Sequence, residues 1–257
     1  MLSTVLVIPC YNEAKRFPVA RIDQFLEQNP NISLILANDG SRDETVQVLQ
    51  RLQNGHPHRI RILDRAVNRG KAETVREGML AGLDGSSPPE VLGYWDADLA
   101  TPLEAVFDMV SLLETQPALQ MVFGARVNLL GRQIRRRATR HYLGRIFATV
   151  VSTMLGMPIY DTQCGAKLFR VGPALRELYE EPFSSRWVFD VEIIARWIRV
   201  NRFDREQVKQ TIYEYPLHAW EDVGGSKVKP YDFILAFFDI LRIYRRYFLK
   251  RPPVAQL

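Results

Sequence analysis

The decapeptide GYWDADLATP, Gly93 to Pro102, sets two carboxylates, Asp96 and Asp98, one residue apart directly after a hydrophobic run. Carboxylates so placed can solvate a turn, cap a helix that begins near Pro102, or hold a divalent cation. Side chains alternate along an extended segment, so Asp96 and Asp98 are expected on one side of the chain. One could bind a cation directly while the other holds water or a ligand, giving the hard oxygen coordination that Mg²⁺ or Mn²⁺ prefers. Thr101 could supply a helix cap by itself. The position at a strand end favours the metal reading.

Three further apolar runs end in residues that can bind or catalyse. TVLVIP leads into PCYNE with Pro9, Tyr11 and Glu13; ISLILAND ends at Asp39 in NDG; IRILDR precedes NRGK with Gly70 and Lys71. Each is short and rich in β-branched residues, as a buried strand is. After each run, and after VLGYWDAD, comes an amphipathic pattern: RIDQFLEQ, SRDETVQVLQRLQ, AETVREGMLAGL and PLEAVFDMVSLLE. This alternation predicts an α/β fold with a mainly parallel central sheet flanked by helices. Ligands of such sheets bind beyond the carboxyl ends of the strands, where all of these polar segments converge. Neither G-x-G-x-x-G after the first strand nor G-x-x-x-x-G-K-[ST] is present, which argues against a dinucleotide dehydrogenase and a P-loop phosphotransferase. Further on, MVFGAR predicts a strand, the following basic segment leads into a long helix to about Leu155, and YDTQCGAKLFR predicts a loop and strand. FDVEIIARWIRV predicts a helix, IYEYPLHAW a strand, EDVGGSKVKP a loop and YDFILAFFDILRIYRRYFLK a closing helix.

A chain of 257 residues, 47% hydrophobic and 25% charged, supports a substantial globular core. Its net charge of +5 is concentrated in GRQIRRRATRHYLGR and RIYRRYFLKR, which suit an anionic partner. Aromatic residues do not interleave the first run as a single-strand platform requires, so nucleic acid is not expected as a partner. Cys10 and Cys164 lie far apart, without metal-ligand spacing, and predict reduced thiols in a cytoplasmic protein. MLSTVLVIPCYNE lacks the basic region and cleavage site of a signal peptide. The stretch IFATVVSTMLGMP falls short of the ~20 residues that cross a bilayer, so any contact with a membrane surface is expected to be peripheral, on the cytoplasmic face.

Taken in order, VIPCYNEAKR, NDGSRDET, NRGKAETVREGM, DADLATP, GAR, DTQCGAKLFR, RWVFDVEII and GGSKVKP resemble the family 2 glycosyltransferases, which have the GT-A fold. DTQCGAKLFR and WVFDVE narrow the resemblance to the dolichyl-phosphate β-glucosyltransferases among the polyprenyl-phosphate glycosyltransferases. The resemblance implies an inverting transfer of a hexose, glucose in that branch, from a UDP-sugar donor to a polyprenyl or dolichyl phosphate acceptor. It places residues 1–230 in the GT-A domain and 231–257 in a C-terminal amphipathic helix and tail. Eukaryotic members carry an amino-terminal membrane helix that this sequence does not show.

The same resemblance implies roles. Asp96, Ala97 and Asp98 would form the DXD motif that meets the donor diphosphate, with Asp96 and Asp98 as ligands of Mg²⁺ or Mn²⁺ and Asp98 essential to catalysis. Asp39 would accept hydrogen bonds from the uracil or ribose, Pro9, Tyr11 and Glu13 would line both, and Gly70 and Lys71 would approach the base or phosphate. Lys227, in GGSK, would close over the diphosphate. Some related mannosyltransferases have glutamine where Ala100 stands, so a third metal ligand must come from elsewhere. On the acceptor side, Arg126 in GAR, with Arg136 and Arg140 on one face of a helix, would hold the acceptor phosphate as forked donors; Arg132, Arg135 and Arg137 read as a solvated face. Asp190 in FDVE is the candidate base and Asp161 in DTQCGAK its rival. A phosphate acceptor is already ionised at neutral pH, so orientation and charge neutralisation could replace base catalysis. Two other readings keep the fold: transfer to a soluble glycan, lipid or protein hydroxyl, and a non-enzymatic nucleotide-sugar-binding protein.

Overall fold

A computed structural model describes residues 1–85, 87–135, 138–222 and 230–249, and the side chains of these apart from 138–141 and 230–234. The first half alternates as predicted: β1 (Thr4–Cys10), α1 (Val19–Gln28), β2 (Ile32–Asp39), α2 (Thr45–Gly55), β3 (Ile60–Arg65), α3 (Lys71–Leu83), β4 (Val91–Trp95), α4 (Ala105–Thr115) and β5 (Met121–Ala125). Then come β6 (Gln133–Arg135), α5 (Ala138–Leu155), β7 (Ala166–Arg170), α6 (Pro173–Glu180), α7 (Phe189–Val200) and α8 (Arg205–Thr211). β8 (Ile212–Pro216), β9 (Ala219–Glu221) and α9 (Pro230–Tyr244) follow, and α9 runs into a π-helical turn over Arg245–Leu249.

The main sheet has the order β3-β2-β1-β4-β7-β5-β8. All neighbours are parallel except β7, which runs antiparallel to both β4 and β5. The sheet is therefore mainly parallel, with one reversed strand inserted between β4 and β5. That reversal brings the loop before β7 to the same edge as the end of β4, and it shapes the site. Apolar residues on successive positions serve opposite faces. Leu6 and Ile8 join a core with Ile22, Leu26, Leu49 and Met109 of α1, α2 and α4. Val7 joins a second core with Val75, Val151, Leu178 and Ile194 of α3, α5, α6 and α7. Burial on both faces explains why these strands are apolar throughout and do not alternate.

Four expectations change. β4 stops at Trp95, so the DAD residues lie beyond the strand. IYEYPLHAW forms two strands: Pro216 ends β8, Leu217 donates to the Ala125 carbonyl at 3.0 Å, and β9 leaves to pair with β6. A proline cannot donate to a ladder, and the strand ends there. Thr101 does not cap α4, which opens without a side-chain cap. The short helices α6 and α8 sit between predicted elements. The C-terminal helix has two faces: Ile240, Ile243 and Tyr247 pack into the second core, while Leu235, Phe237, Phe238 and Leu241 are exposed.

Candidate functional site

At the carboxyl ends of β1, β2 and β4 lies a cavity of about 600 Å³, lined by Pro9, Tyr11, Glu13, Asp39, Gly70 and Lys71 among others. Asp96, Ala97 and Asp98 line it as well, as do Arg126, Asp161 and Asp190. Arg136 and Lys227, and the side chain of Arg140, lie outside the described residues.

The aspartates sit on a turn, which corrects the expectation of an extended segment. Asp96 N donates to the Gly165 carbonyl at 2.9 Å, and Leu99 N donates back to the Asp96 carbonyl at 3.1 Å. Leu99 adopts φ 47°, a left-handed conformation that a β-branched residue would resist. Ala100 N donates to Asp98 Oδ1 at 3.1 Å, so one oxygen of Asp98 holds the turn. Trp95 Nε1 fixes it from beneath by donating to the Thr101 carbonyl at 2.8 Å. Opposite, Gly165 leaves room for a carboxylate: a β-carbon there would stand 1.9 Å from Asp96 Oδ2.

Two anions at one turn require a cation. Burial, and then the charge of Asp96, push the Asp98 carboxyl above the usual carboxylate range. Lys71 Nζ lies 2.5 Å from Asp96 Oδ1. Burial works against its ammonium, but Asp96 and Asp190 hold it in the charged form and raise its pKa. No group of three or more His, Cys, Asp or Glu side chains able to hold a metal ion together is present among the described residues. The donor set is thus a pair of carboxylates, which fits a hard divalent cation that takes its other oxygens from water and a ligand. Ala100 lines the cavity with a methyl group and supplies none.

Beside Gly70 and Lys71, Asp39 receives Arg69 N and Gly70 N, each at 2.8 Å, one on each oxygen, with Arg65 Nη1 at 3.4 Å. Its carboxylate anchors the loop that carries Gly70 and Lys71, a task separate from the expected contact with base or ribose. Gly70 has φ 93°, which favours glycine. Glu13 is held by the guanidinium of Arg16, a cavity residue that sequence reasoning passed over although it stands in CYNEAKR.

Ion pairs between distant positions dominate the remaining lining. Arg126 grips Asp161 with both prongs, Nε to Oδ2 at 2.7 Å and Nη2 to Oδ1 at 2.8 Å, and adds its backbone N–H at 3.0 Å. Burial disfavours the guanidinium, but Asp161 outweighs it and raises the Arg126 pKa. Two residues expected in separate roles are therefore one unit, and Asp161, with both oxygens engaged, is poorly placed to accept a proton. Glu214 of β8 supports the loop by accepting Tyr160 N and Asp161 N at 2.8 Å each. Asp190 opens α7, and its Oδ1 receives the Tyr94 hydroxyl and lies 2.6 Å from Lys167 Nζ. Arg145 stacks on the Tyr160 ring at 3.8 Å, and Arg186 and Trp187 complete the wall. Lys167 and Arg186 both stood in quoted motifs, GAK and RWVFDVE; a lysine inside an apolar strand was the available signal for the first.

A family model described as glycosyl transferase family 2 matches residues 5–175. The chain is 30% identical to a dolichyl-phosphate beta-glucosyltransferase of Trichomonas vaginalis, over 93% of this chain and 70% of that protein. It is 31% identical to the dolichyl-phosphate beta-glucosyltransferase of Drosophila melanogaster, over 100% of this chain and 78% of that one. Among solved structures, glucosyl-3-phosphoglycerate synthase of Mycobacterium tuberculosis, in complex with Mn²⁺, UDP-glucose and phosphoglyceric acid, superposes with a TM-score of 0.64. That match has 16% identity and covers 100% of this chain and 83% of that one. Mannosyl-3-phosphoglycerate synthase of Rubrobacter xylanophilus gives 0.67 at 13% identity, covering 100% and 77%. The strand order with its reversed β7, the carboxylate turn beyond β4 and the family match agree, and the chain belongs to glycosyl transferase family 2, a glycosyltransferase of the GT-A fold.

Proposed function

We propose that the protein transfers glucose from UDP-glucose to a polyprenyl phosphate, with inversion at the anomeric carbon. The observation that carries this reading is one cavity that holds both a carboxylate turn and several cations. Lys71 pairs with Asp96 of that turn, and Arg126 and Arg145 line the same cavity. Two anionic substrates can thus meet at Asp96 and Asp98. The dolichyl-phosphate beta-glucosyltransferase relatives supply the acceptor class.

Pro9 and Tyr11 would flank the base, and the loop anchored on Asp39 would bring Gly70 and Lys71 to the diphosphate. Asp96 and Asp98 would hold Mg²⁺ or Mn²⁺, which when bound neutralises charge on the departing diphosphate. Lys71 would then exchange Asp96 for a phosphate oxygen as the donor enters. Arg126, fixed by Asp161, keeps Nη1 free of that fork, and with Arg145 it would orient the acceptor phosphate. Oδ2 of Asp190, which has no partner among the described residues, would orient a sugar hydroxyl or the incoming phosphate. An already ionised phosphate attacks without a strong base, so positioning and charge supply the rate.

The acceptor's lipid tail would leave between α5 and α9. Arg145 and Phe147 of α5 and Ala236 of α9 line the cavity, and both helices carry exposed apolar residues nearby. None of the described helices is long and apolar enough to cross a membrane, and contact with a lipid surface would be made by these faces. The decisive experiment is a radiolabelled UDP-sugar panel with a short polyprenyl phosphate or soluble hydroxyl acceptors, in Mg²⁺ or Mn²⁺. Transfer of glucose to the lipid phosphate, lost in Asp98→Ala and impaired through acceptor use in Arg126→Ala, is the expected result. Transfer only to soluble hydroxyls, or unchanged turnover in Asp98→Ala, would overturn it.

A further inference from the structure

We infer that Arg186 binds the donor's diphosphate and that the C-terminal helix positions it through Ser185 and Asp239. This rests on the UDP-sugar reading of the cavity.

The cations of the cavity are not alike. Arg16 is held by Glu13, Lys71 by Asp96 and Arg126 by Asp161. Each of those charges is cancelled before any ligand arrives. Arg186 forms no ion pair or hydrogen bond among the described residues, and it is exposed. Its side chain lies against Gly70: a β-carbon at that glycine would stand 3.2 Å from Arg186 Nε and 3.5 Å from Cδ. Gly70 immediately precedes Lys71, whose ammonium reaches the carboxylate turn. A free guanidinium packed against the loop that carries Lys71 is suited to a diphosphate, which presents paired oxygens to a planar fork.

The backbone beneath Arg186 is fixed with unusual care for an exposed residue. Ser185 is buried, and its Oγ accepts Trp187 N at 3.2 Å and Val188 N at 2.9 Å. The same hydroxyl donates to Asp239 Oδ2 of α9 at 2.6 Å. Asp239 Oδ1 in turn accepts from Arg242 at 3.0 Å, and Arg242 also donates to the Ser184 carbonyl at 3.1 Å. Arg246 donates to Ser184 Oγ at 2.7 Å. The C-terminal helix thus clamps the chain on the amino-terminal side of Arg186, and α7 holds it on the other.

The test is the affinity for UDP and for uridine in the presence of Mn²⁺, measured by calorimetry and by competition, on wild type, Arg186→Ala, Arg186→Gln, Ser185→Ala, Asp239→Ala and Asp239→Asn, each checked for folding by circular dichroism. Loss of a charge-assisted contact predicts UDP binding weaker by roughly 10-fold or more in both Arg186 variants, with uridine unchanged. Ser185→Ala and Asp239→Ala should weaken UDP by a smaller factor and spare uridine. Asp239→Asn keeps an acceptor oxygen and should stay near wild type. Unchanged UDP affinity in folded Arg186→Ala, or an equal loss for uridine, overturns the assignment. Clamp variants that bind UDP as wild type does overturn the positioning role. Wild-type protein that binds no UDP overturns the donor reading itself, and this proposal falls with it.

Discussion

Lys167 and Asp190 form an ion pair at 2.6 Å in which the lysine side chain has 0% exposure and the carboxylate 7%. Lys167 Nζ also donates to the Cys164 carbonyl at 2.5 Å, so a single ammonium ties α7 to the loop that carries Asp161. Tyr94 adds its hydroxyl to the same Asp190 oxygen. The carboxylate is thereby held through Oδ1, and Oδ2 has no partner among the described residues.

Removing one member of such a pair strands the other charge. Lys167→Met is expected to destabilise the protein by about 3–5 kcal/mol, the range for breaking a buried ion pair from one side. The double variant Lys167→Met with Asp190→Leu should recover much of that loss, because two apolar side chains need no partner. Urea unfolding of the single and double variants checks this; a double variant no more stable than Lys167→Met would refute the account.

Gly165 exists at its position for the benefit of Asp96. A β-carbon at 1.9 Å from Asp96 Oδ2 cannot coexist with that carboxylate where it stands, so Gly165→Ala must swing it away or shift the turn. Changing a residue that orients a metal ligand typically costs 10–100-fold in affinity, and with Asp96 in the metal role proposed above a loss of about that size is expected in a Mn²⁺ titration. Thermal stability should fall far less than Mn²⁺ affinity.

Asp98 carries a signature in pH. Its folded carboxyl is raised by burial and by Asp96, while in the unfolded chain it titrates in the ordinary range. Between those two values the folded state holds more protons, so stability falls as pH rises through that window. The penalty is complete above the folded value and absent below the unfolded one. In metal-free protein, Asp98→Asn should therefore melt higher than wild type at neutral pH, and the gain should vanish near pH ~3, below the ordinary range. Added Mn²⁺ should raise the melting temperature of wild type most at neutral pH, because binding needs the carboxylate free of its proton. Differential scanning fluorimetry across pH reads both effects.

The strand-helix alternation of the first half was legible because periodicity is local. Each apolar run and its amphipathic partner report their own state, and the carboxyl-edge rule then locates the cavity. The reversal of β7 was not legible, since AKLFR reads the same in either direction of a buried strand. Nor was the turn at Asp96: its form depends on a carbonyl from Gly165 and a left-handed Leu99, both set by packing. The Arg126–Asp161 pair, the hold of Asp39 on Arg69 and Gly70, and the Lys167–Asp190 contact join residues far apart in sequence. Residue type suggested that these groups do chemistry, but only topology decides which charge meets which.

The exposed face of α9 supplies a last prediction. Ile240 and Ile243 are buried, so Leu235, Phe237, Phe238 and Leu241 are apolar for some reason other than the core. Leu143 and Ile146 of α5 are likewise exposed. Burying one such side chain fully in an apolar phase contributes roughly 1.5–3 kcal/mol, so two charged substitutions on this face should release most of the protein from a lipid surface. Leu235→Glu with Phe238→Glu is expected to abolish sedimentation with vesicles containing anionic lipid, while leaving the melting temperature and UDP affinity near wild type. Arg242 and Arg246 hold the same helix through Ser184, and their substitution should instead lower the melting temperature. Vesicle binding that survives the double glutamate variant would assign these apolar residues to something other than a membrane.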